Sequence, residues 1–440
     1  MADLAPFRGI QFDKTRVNLA KVLAPPYDVI DDAERARLAA DPHNAVHLIK
    51  PVAPDGGDPY QAAAATLQSW LAEGVLRRDT SRAVYRYHQT FSTPELGDRV
   101  VTRRGFVAAV RLEPFSAKVI IPHERTLAAP RADRLKLLTA TRTQLSPVFG
   151  LYPDPAGEVE RLFRKWDRAA PDLTAVTADG VTHTMWRCAD AELVGGLRRA
   201  FSPKKIYLAD GHHRYDTMLA YRDALLAKGD PGMYSAANYG LMFLCATDDP
   251  GLVVLPTHRL VHGLAEVSRE QLLERAKEFF IVEKLPGAAR DAAAVRAAIA
   301  STPTHQPAIA VVFPGEPDAW RLTLDPHVNP AAVGVAGHAV VARLDVSLLH
   351  GIVLERILGI TPAAQEAQTN LRYVKDTAQA LAEVADRKAQ IGFIVGAPRF
   401  PEIKHLADLG EPMPQKSTYF HPKLATGLVM NPIDRDEDLQ

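Results

Sequence analysis

The segment Lys205-Ile206-Tyr207-Leu208-Ala209-Asp210-Gly211-His212-His213-Arg214-Tyr215 constrains the fold of this chain more than any other. A short apolar run ends in Asp-Gly, and two histidines and an arginine then open a predicted helix that runs through Lys228. Strand, tight turn and helix N-terminus in that order form a place where a backbone can hold an anion. Gly211 lets the backbone approach closely, and His212, His213 and Arg214 add donors and charge to the first helical N–H groups. Asp210 closes the strand, where a carboxylate can hold a metal or a hydroxyl.

Two chemistries fit these residues. In the first, the helix start and Arg214 hold phosphate oxygens while a histidine donates to a bridging or transferring oxygen. In the second, Asp210 and one histidine ligate a cation, with further ligands from elsewhere. Adjacent side chains diverge, which argues against both histidines meeting on one metal. A plain turn with an Asp cap would need neither the paired histidines nor the arginine, so a functional site is the better reading.

Composition narrows the setting. At 440 residues the chain has room for two or three domains, and 47% apolar with 24% charged residues is ordinary for a globular protein. Lys plus Arg and Asp plus Glu balance at 52 each, which argues against a nucleic-acid partner. Cys188 and Cys245 make no metal-ligand spacing and read as two buried thiols in a reducing compartment. Residues 1–14 carry four charges and no signal-peptide core, and no apolar run approaches a bilayer span. The expectation is a cytoplasmic protein with no membrane partner.

Helical and strand patterns intermix along the whole chain. Strands are expected over 83–91, 100–112, 148–152, 182–187, 240–246 and 252–255, and helices near 31–40, 60–73 and 132–143. From 268 the character changes: helices are expected over 268–280, 288–300, 345–358 and 381–390, with strands over 309–313 and 391–395. The expected class is α/β in the mixed α+β sense, with mixed sheets. The expected division is a core over 1–265 and a C-terminal α+β region over 266–440.

Three further segments carry candidate chemistry. His123 and Glu124 follow an apolar run, Val119-Ile120-Ile121, and suit a general acid/base pair, although the spacing is not that of a His-Glu-x-x-His zinc site. Pro25-Pro26-Tyr27-Asp28 reads as a rigid turn in which Asp28 caps the next helix. Pro256-Thr257-His258-Arg259 follows a strand and can present His258 and Arg259 to a ligand. Lys416, Ser417 and Thr418 can meet an anion but follow no Gly-rich loop, so they are not a Walker motif.

Taken together, these segments resemble the domain of unknown function 1015 family. The resemblance rests on Pro25-Pro-Tyr-Asp-Val-Ile30, His123-Glu124-x-Thr126, Asp210-Gly211-His212-His213-Arg214, Pro256-x-His258-Arg259-Leu260 and Met413-Pro-x-Lys416-Ser417-Thr418-Tyr419-Phe420-x-Pro422-Lys423, and it runs nearly end to end. The Asp210–Arg214 element is also similar to the phosphate-binding box of the ParB/sulfiredoxin-like superfamily. Its free-serine kinases carry Asp-Gly-His-x-Arg, matched here by Asp210, Gly211, His212 and Arg214.

That resemblance implies a ParB/sulfiredoxin-like nucleotide-binding core with a mixed sheet. Asp210, Gly211, His212, His213 and Arg214, with His258 and Arg259, would hold a nucleoside di- or triphosphate (ADP, ATP or CTP). Asp210 is the candidate Mg2+ contact. In those kinases a separate glutamate takes the proton of the serine hydroxyl, and Glu124 is the candidate here, with His123 and His212 beside it as catalytic candidates. The implied activity is nucleotide-dependent phosphotransfer to a small hydroxylated metabolite, free serine among them. The alternatives are a non-catalytic nucleotide-binding regulator and a metal-assisted phosphatase or nuclease using Asp210, His212 and His123.

Overall fold

A computed structural model describes the chain except for residues 54–55, 98, 125, 127, 230–231, 304–305, 415, 435–436 and 440. Arg125, in the His123 loop, and Gln415, in the tail motif, therefore lie outside the described residues. The chain divides into two compact units. The first comprises 1–93, 98–253 and 422–440, and the second 94–97 and 254–421. The class is mixed α+β with a mixed sheet, as the interleaved patterns predict.

The main sheet of the first unit has nine strands among the described residues. They are β1 (Leu4–Ala5), β2 (Val84–Phe91), β3 (Val101–Arg111), β4 (Ile120–Ile121), β5 (Val148–Tyr152), β6 (Leu173–Val176), β7 (Thr182–Cys188), β8 (Ile206–Asp210) and β9 (Tyr239–Ala246). Their spatial order is β4-β8-β5-β9-β3-β2-β7-β6, with β1 beside β3. The pairs β4/β8 and β5/β9 are parallel, and all the other pairings are antiparallel. β9 lies between β5 and β3 and is buried at every residue, which accounts for its unbroken apolar run.

The longer helices of this unit are α1 (Asp32–Ala39), α2 (Pro59–Ala72), α3 (Ala128–Thr141), α4 (Glu158–Asp167), α5 (Ala191–Phe201) and α6 (His212–Leu226). Asp31 rather than Asp28 caps α1, accepting from the Glu34 N–H at 2.8 Å, and Asp28 stays exposed in a 3-10 turn. α4 and α5 each turn a narrow apolar stripe inward. Phe163 and Phe201 meet Phe106 of β3 with ring centroids 5.1 and 5.6 Å apart. A buried charge pins α4 to the sheet: Arg86 of β2 reaches Glu160 at 2.6 Å and Asp167 at 2.9 Å, and its guanidinium lies over Phe163. Asp167 is half-desolvated, yet His88 and Arg86 bring its carboxyl down to about 2.

The second unit holds a six-stranded sheet that is antiparallel throughout. Its strands are β10 (His258–Val261), β11 (Phe280–Leu285), β12 (Ala308–Val312), β13 (Ala319–Leu324), β14 (Leu371–Val374) and β15 (Ile391–Val395), in the order β11-β13-β12-β15-β10-β14. The segment that periodicity reads as one α-helix over 345–358 starts as α (Asp345–Leu348) and widens into a π-helix (Leu349–Ile357). There the Leu358 N–H reaches back five residues to the Val353 carbonyl. Apolar spacing reads alike for both forms, since the change lies in the hydrogen-bond register.

Cys188 and Cys245 are buried free thiols, and burial pushes the Cys188 thiol up to about 12. No helix among the described residues is long and apolar enough to cross a membrane.

Candidate phosphate-binding site

The site grows from the parallel pair β4/β8. Ile206 lies opposite Ile120 and Tyr207 opposite Ile121, so both strands leave the sheet at the same edge. His123 follows β4 and His212 follows β8, and the parallel register brings the two rings to 4.7 Å, edge to face. Carboxyl ends of parallel strands are where open sheets present ligand groups. On its other side β8 pairs with β5, and a register shift between Leu208 and Asp210 re-aims the aspartate.

Gly211 makes the turn with φ 87° and ψ 29°, a left-handed conformation that costs an L side chain energy. A Cβ there would lie 2.9 Å from Arg214 Nε, so the turn also needs the empty position to let that guanidinium fold back. The first intrahelical bond of α6 runs from the Tyr215 N–H to the Gly211 carbonyl, so the N–H groups of His212, His213 and Arg214 stand ahead of the helical ladder. Tyr215 fixes the helix start, its hydroxyl donating to the Glu113 carbonyl at 2.8 Å and accepting from the Glu113 N–H at 2.9 Å. Asp216, one turn in, accepts from the Thr126 hydroxyl at 3.0 Å and ties down the His123 loop.

Asp210 is the electrostatic centre. Its Oδ1 accepts the Gly211 N–H at 2.8 Å, and its Oδ2 lies 3.2 Å from Arg214 Nη2 and 3.3 Å from Lys423 Nζ. Burial alone would raise this carboxyl, but Lys423 and Arg214 hold it well below the usual range. Arg214 also donates to the Pro147 carbonyl, so this buried side chain braces the turn from two sides.

The two histidines are neutral, and their tautomers follow from their partners. Burial pushes both imidazoles down, His212 well below its ordinary value with His123 as the next cause. The His123 N–H donates to His212 Nε2 at 3.3 Å, which leaves the His212 proton on Nδ1. His123 Nδ1 donates to the Leu208 carbonyl at 2.6 Å, so its Nε2 carries the lone pair and lies 3.9 Å from Glu124 Oε1. His213 is half-buried, and its carbonyl accepts from the Thr217 hydroxyl.

Lys423, the last residue of the tail motif, is brought by the fold to Asp210. A buried pair on the central strands sets its backbone. Gln89 of β2 donates to the Lys423 carbonyl at 3.0 Å, and Arg103 of β3 donates to the Pro422 carbonyl at 2.6 Å and to Gln89. The Arg103 guanidinium lies 4.7 Å over the ring of Phe149, which stands opposite Asp210 in the β5/β8 register.

His258 and Arg259 belong to the second unit, as inner residues of β10. His258 Nε2 donates to the Thr377 hydroxyl at 3.0 Å, its Nδ1 accepts the Val395 N–H at 3.3 Å, and burial lowers it to about 3. Arg259 donates to His350 Nε2 at 3.1 Å and to the Thr257 carbonyl, and lies 5.2 Å over the Tyr373 ring. Its Nη2 faces the Lys416 carbonyl at 3.4 Å, and the Ser417 hydroxyl donates to the Pro414 carbonyl.

The groups at Asp210 fit an anion. Two cations, oriented N–H groups at a helix start and two neutral imidazoles suit phosphate oxygens. A divalent ion at Asp210 would have to displace the Lys423 ammonium. Among the described residues no three His, Cys, Asp or Glu side chains gather to hold a metal.

Solved structures similar to this chain include a free serine kinase in complex with AMP, 16% identical with a TM-score of 0.32, covering 70% of this chain and 89% of that one. SbnI with a C-terminal truncation from Staphylococcus aureus is 12% identical with a TM-score of 0.34, covering 76% and 90%. A conserved hypothetical protein from Pyrococcus furiosus is 14% identical with a TM-score of 0.31, covering 69% and 90%. No curated protein matches the sequence. The family model for a protein of unknown function, DUF1015, matches residues 4–347, and by that match the chain belongs to the DUF1015 family.

Proposed function

We propose that this protein is a nucleotide-dependent phosphotransferase acting on a small hydroxylated metabolite, with free serine the first acceptor to test. The observation that carries the reading is the convergence of Asp210, Arg214, Lys423 and the His123–His212 pair at the N-terminus of α6. The Asp-Gly-His-x-Arg form of the box, which resembles that of free-serine kinases, adds to it.

In this reading the backbone N–H groups of His212, His213 and Arg214 bind phosphate oxygens, and Lys423 and Arg214 neutralise their charge. A bound nucleotide supplies the phosphoryl group, whose P–O bond to the leaving phosphate breaks as a new P–O bond to the acceptor oxygen forms. Glu124 takes the acceptor's hydroxyl proton. Neutral His123, with its lone pair on Nε2 3.9 Å from Glu124 Oε1, is placed to accept from that carboxyl once it holds the proton. Asp210 is a positioning residue that holds the two cations in place.

The test is an assay of the purified chain with ATP, ADP and CTP in turn, each with serine and with related hydroxy compounds. Phosphoryl transfer lost in Glu124→Gln supports the reading. Nucleotide binding without transfer to any acceptor would favour the regulator alternative instead.

A further inference from the structure

The first unit contains a second feature that the phosphotransfer reading leaves unused. A cavity of about 500 Å3 lies among the segment before α1, α1 itself, the turn after β6, and the tail. That volume is in the range of small-molecule sites. Its floor is apolar, with Leu23, Ala24, Leu38 and Ala425 all buried. His183 of β7 lies against it, locked by the Tyr87 hydroxyl on Nδ1 at 2.6 Å and the Thr177 hydroxyl on Nε2 at 2.9 Å. Burial lowers His183 to about 4, so it brings no charge to the cavity at neutral pH.

Charged groups on the wall are balanced in number, with Lys21, Arg37 and Lys423 against Glu34, Asp41 and Asp179. Their depth is not balanced. Glu34 and Arg37 pair with each other at 2.6 Å and are 33% and 57% exposed, whereas the Lys423 side chain is 13% exposed. Asp179 is exposed and accepts from the Thr177 hydroxyl, and Asp41 accepts the His43 N–H within its own turn. A charge in the less hydrated position acts more strongly on a ligand than charges at the rim. Lys423 also belongs to a trio with Asp210 and Arg214 that carries one net positive charge, and it is the member that lines the cavity.

We propose that this cavity is a binding site for a small organic anion with an apolar body, its anionic group meeting Lys423 and its body covering Leu23, Leu38 and Ala425. Lys423 couples the two sites, because an anion in the cavity competes with Asp210 for the same ammonium. The inference stands whether or not the Asp210 box transfers phosphate.

The test uses 8-anilinonaphthalene-1-sulfonate, an apolar anion whose fluorescence reports binding, with the full chain. One saturable site is expected, competed by hexanoate and not by hexylammonium. Ala425→Trp, which fills the floor, is expected to abolish binding, and Lys423→Met to weaken it at least tenfold. Should Ala425→Trp fail to fold, Ala178→Trp at the exposed rim narrows the mouth and is expected to weaken binding at least tenfold. Failure of the probe to saturate, competition by hexylammonium equal to that by hexanoate, or unchanged binding in the folded tryptophan variant would each overturn the proposal. A calorimetric titration of ADP into the tryptophan variant, which keeps Lys423 beside Asp210, reads the Asp210 box with the cavity filled, so loss of one site is distinguishable from loss of the other.

Discussion

The ammonium of Lys423 lies 3.3 Å from the Asp210 carboxylate, joining the tail of the chain to the strand-turn-helix box more than two hundred residues earlier. Arg214 meets the same oxygen at 3.2 Å, and both partners are shielded from solvent. Breaking one arm of such a pair leaves charge inadequately compensated. Lys423→Met is therefore expected to destabilise the protein by about 1–3 kcal/mol, less than a fully broken buried pair because Arg214 remains. Urea unfolding at pH 7 checks this, and an unchanged midpoint would show that Arg214 alone satisfies the aspartate.

Gly211 is left-handed and its missing Cβ leaves space for Arg214. Gly211→Ala adds a conformational penalty of about 1–2 kcal/mol and pushes the guanidinium aside. The expected outcome is a loss of stability of that size with a larger proportional loss of nucleotide affinity. Equal stability of variant and parent would mean the turn has an alternative conformation.

Glu124→Gln keeps the shape of the side chain and removes its basicity. Transfer is expected to fall at least about a hundredfold, the usual scale for a positioned base. Nucleotide affinity is expected to stay within about twofold, because the phosphate groups in this account lie on α6 and Lys423. Single-turnover rates beside calorimetric affinities separate the two effects, and a variant that still turns over moves the base elsewhere.

His183 gives the chain a pH-dependent stability of known sign. Its folded value is about 4 against 6.5 for the free side chain, so between those pH values the unfolded state holds the proton and the folded state does not. The stability from keeping it neutral is complete above pH 6.5 and is lost as pH falls toward 4. Asp249 and Asp345, raised to about 6 by burial, act in the opposite sense over 6 to 4. Comparing the parent with His183→Gln removes those common contributions. The parent's advantage should shrink by roughly 3 kcal/mol between pH 7 and pH 4. A constant difference across that range would show that His183 titrates normally.

Local order explains what could be read from the residues alone. The apolar run ending in Asp210-Gly211 predicts β8, its turn and α6, because each is specified by neighbours in sequence. His123 beside Glu124 is likewise a local signal, and the parallel register of β4 and β8 turns it into a contact with His212. Lys423 was not legible as an Asp210 partner, since its placement depends on Gln89 and Arg103 on strands distant in the chain. The one local signal is the motif ending Pro422-Lys423, in which Lys416, Ser417 and Thr418 carry the more obvious anion chemistry. β10, β13 and β14 are not legible because short strands of an antiparallel sheet carry little periodicity of their own. The phenolic tip of Tyr215 and the bulge before Asp210 are tertiary devices with no mark in the sequence.

A calorimetric titration of ADP and ATP into the full chain and into Lys423→Met, with folding of the variant checked by its melting transition, tests whether the start of α6 and Lys423 hold a phosphate. A cationic phosphate site built on Asp210, Lys423 and the start of α6 predicts one saturable site in the parent and affinity at least tenfold weaker in the variant. Absence of saturable binding in the parent, or equal affinity in a folded variant, would contradict it.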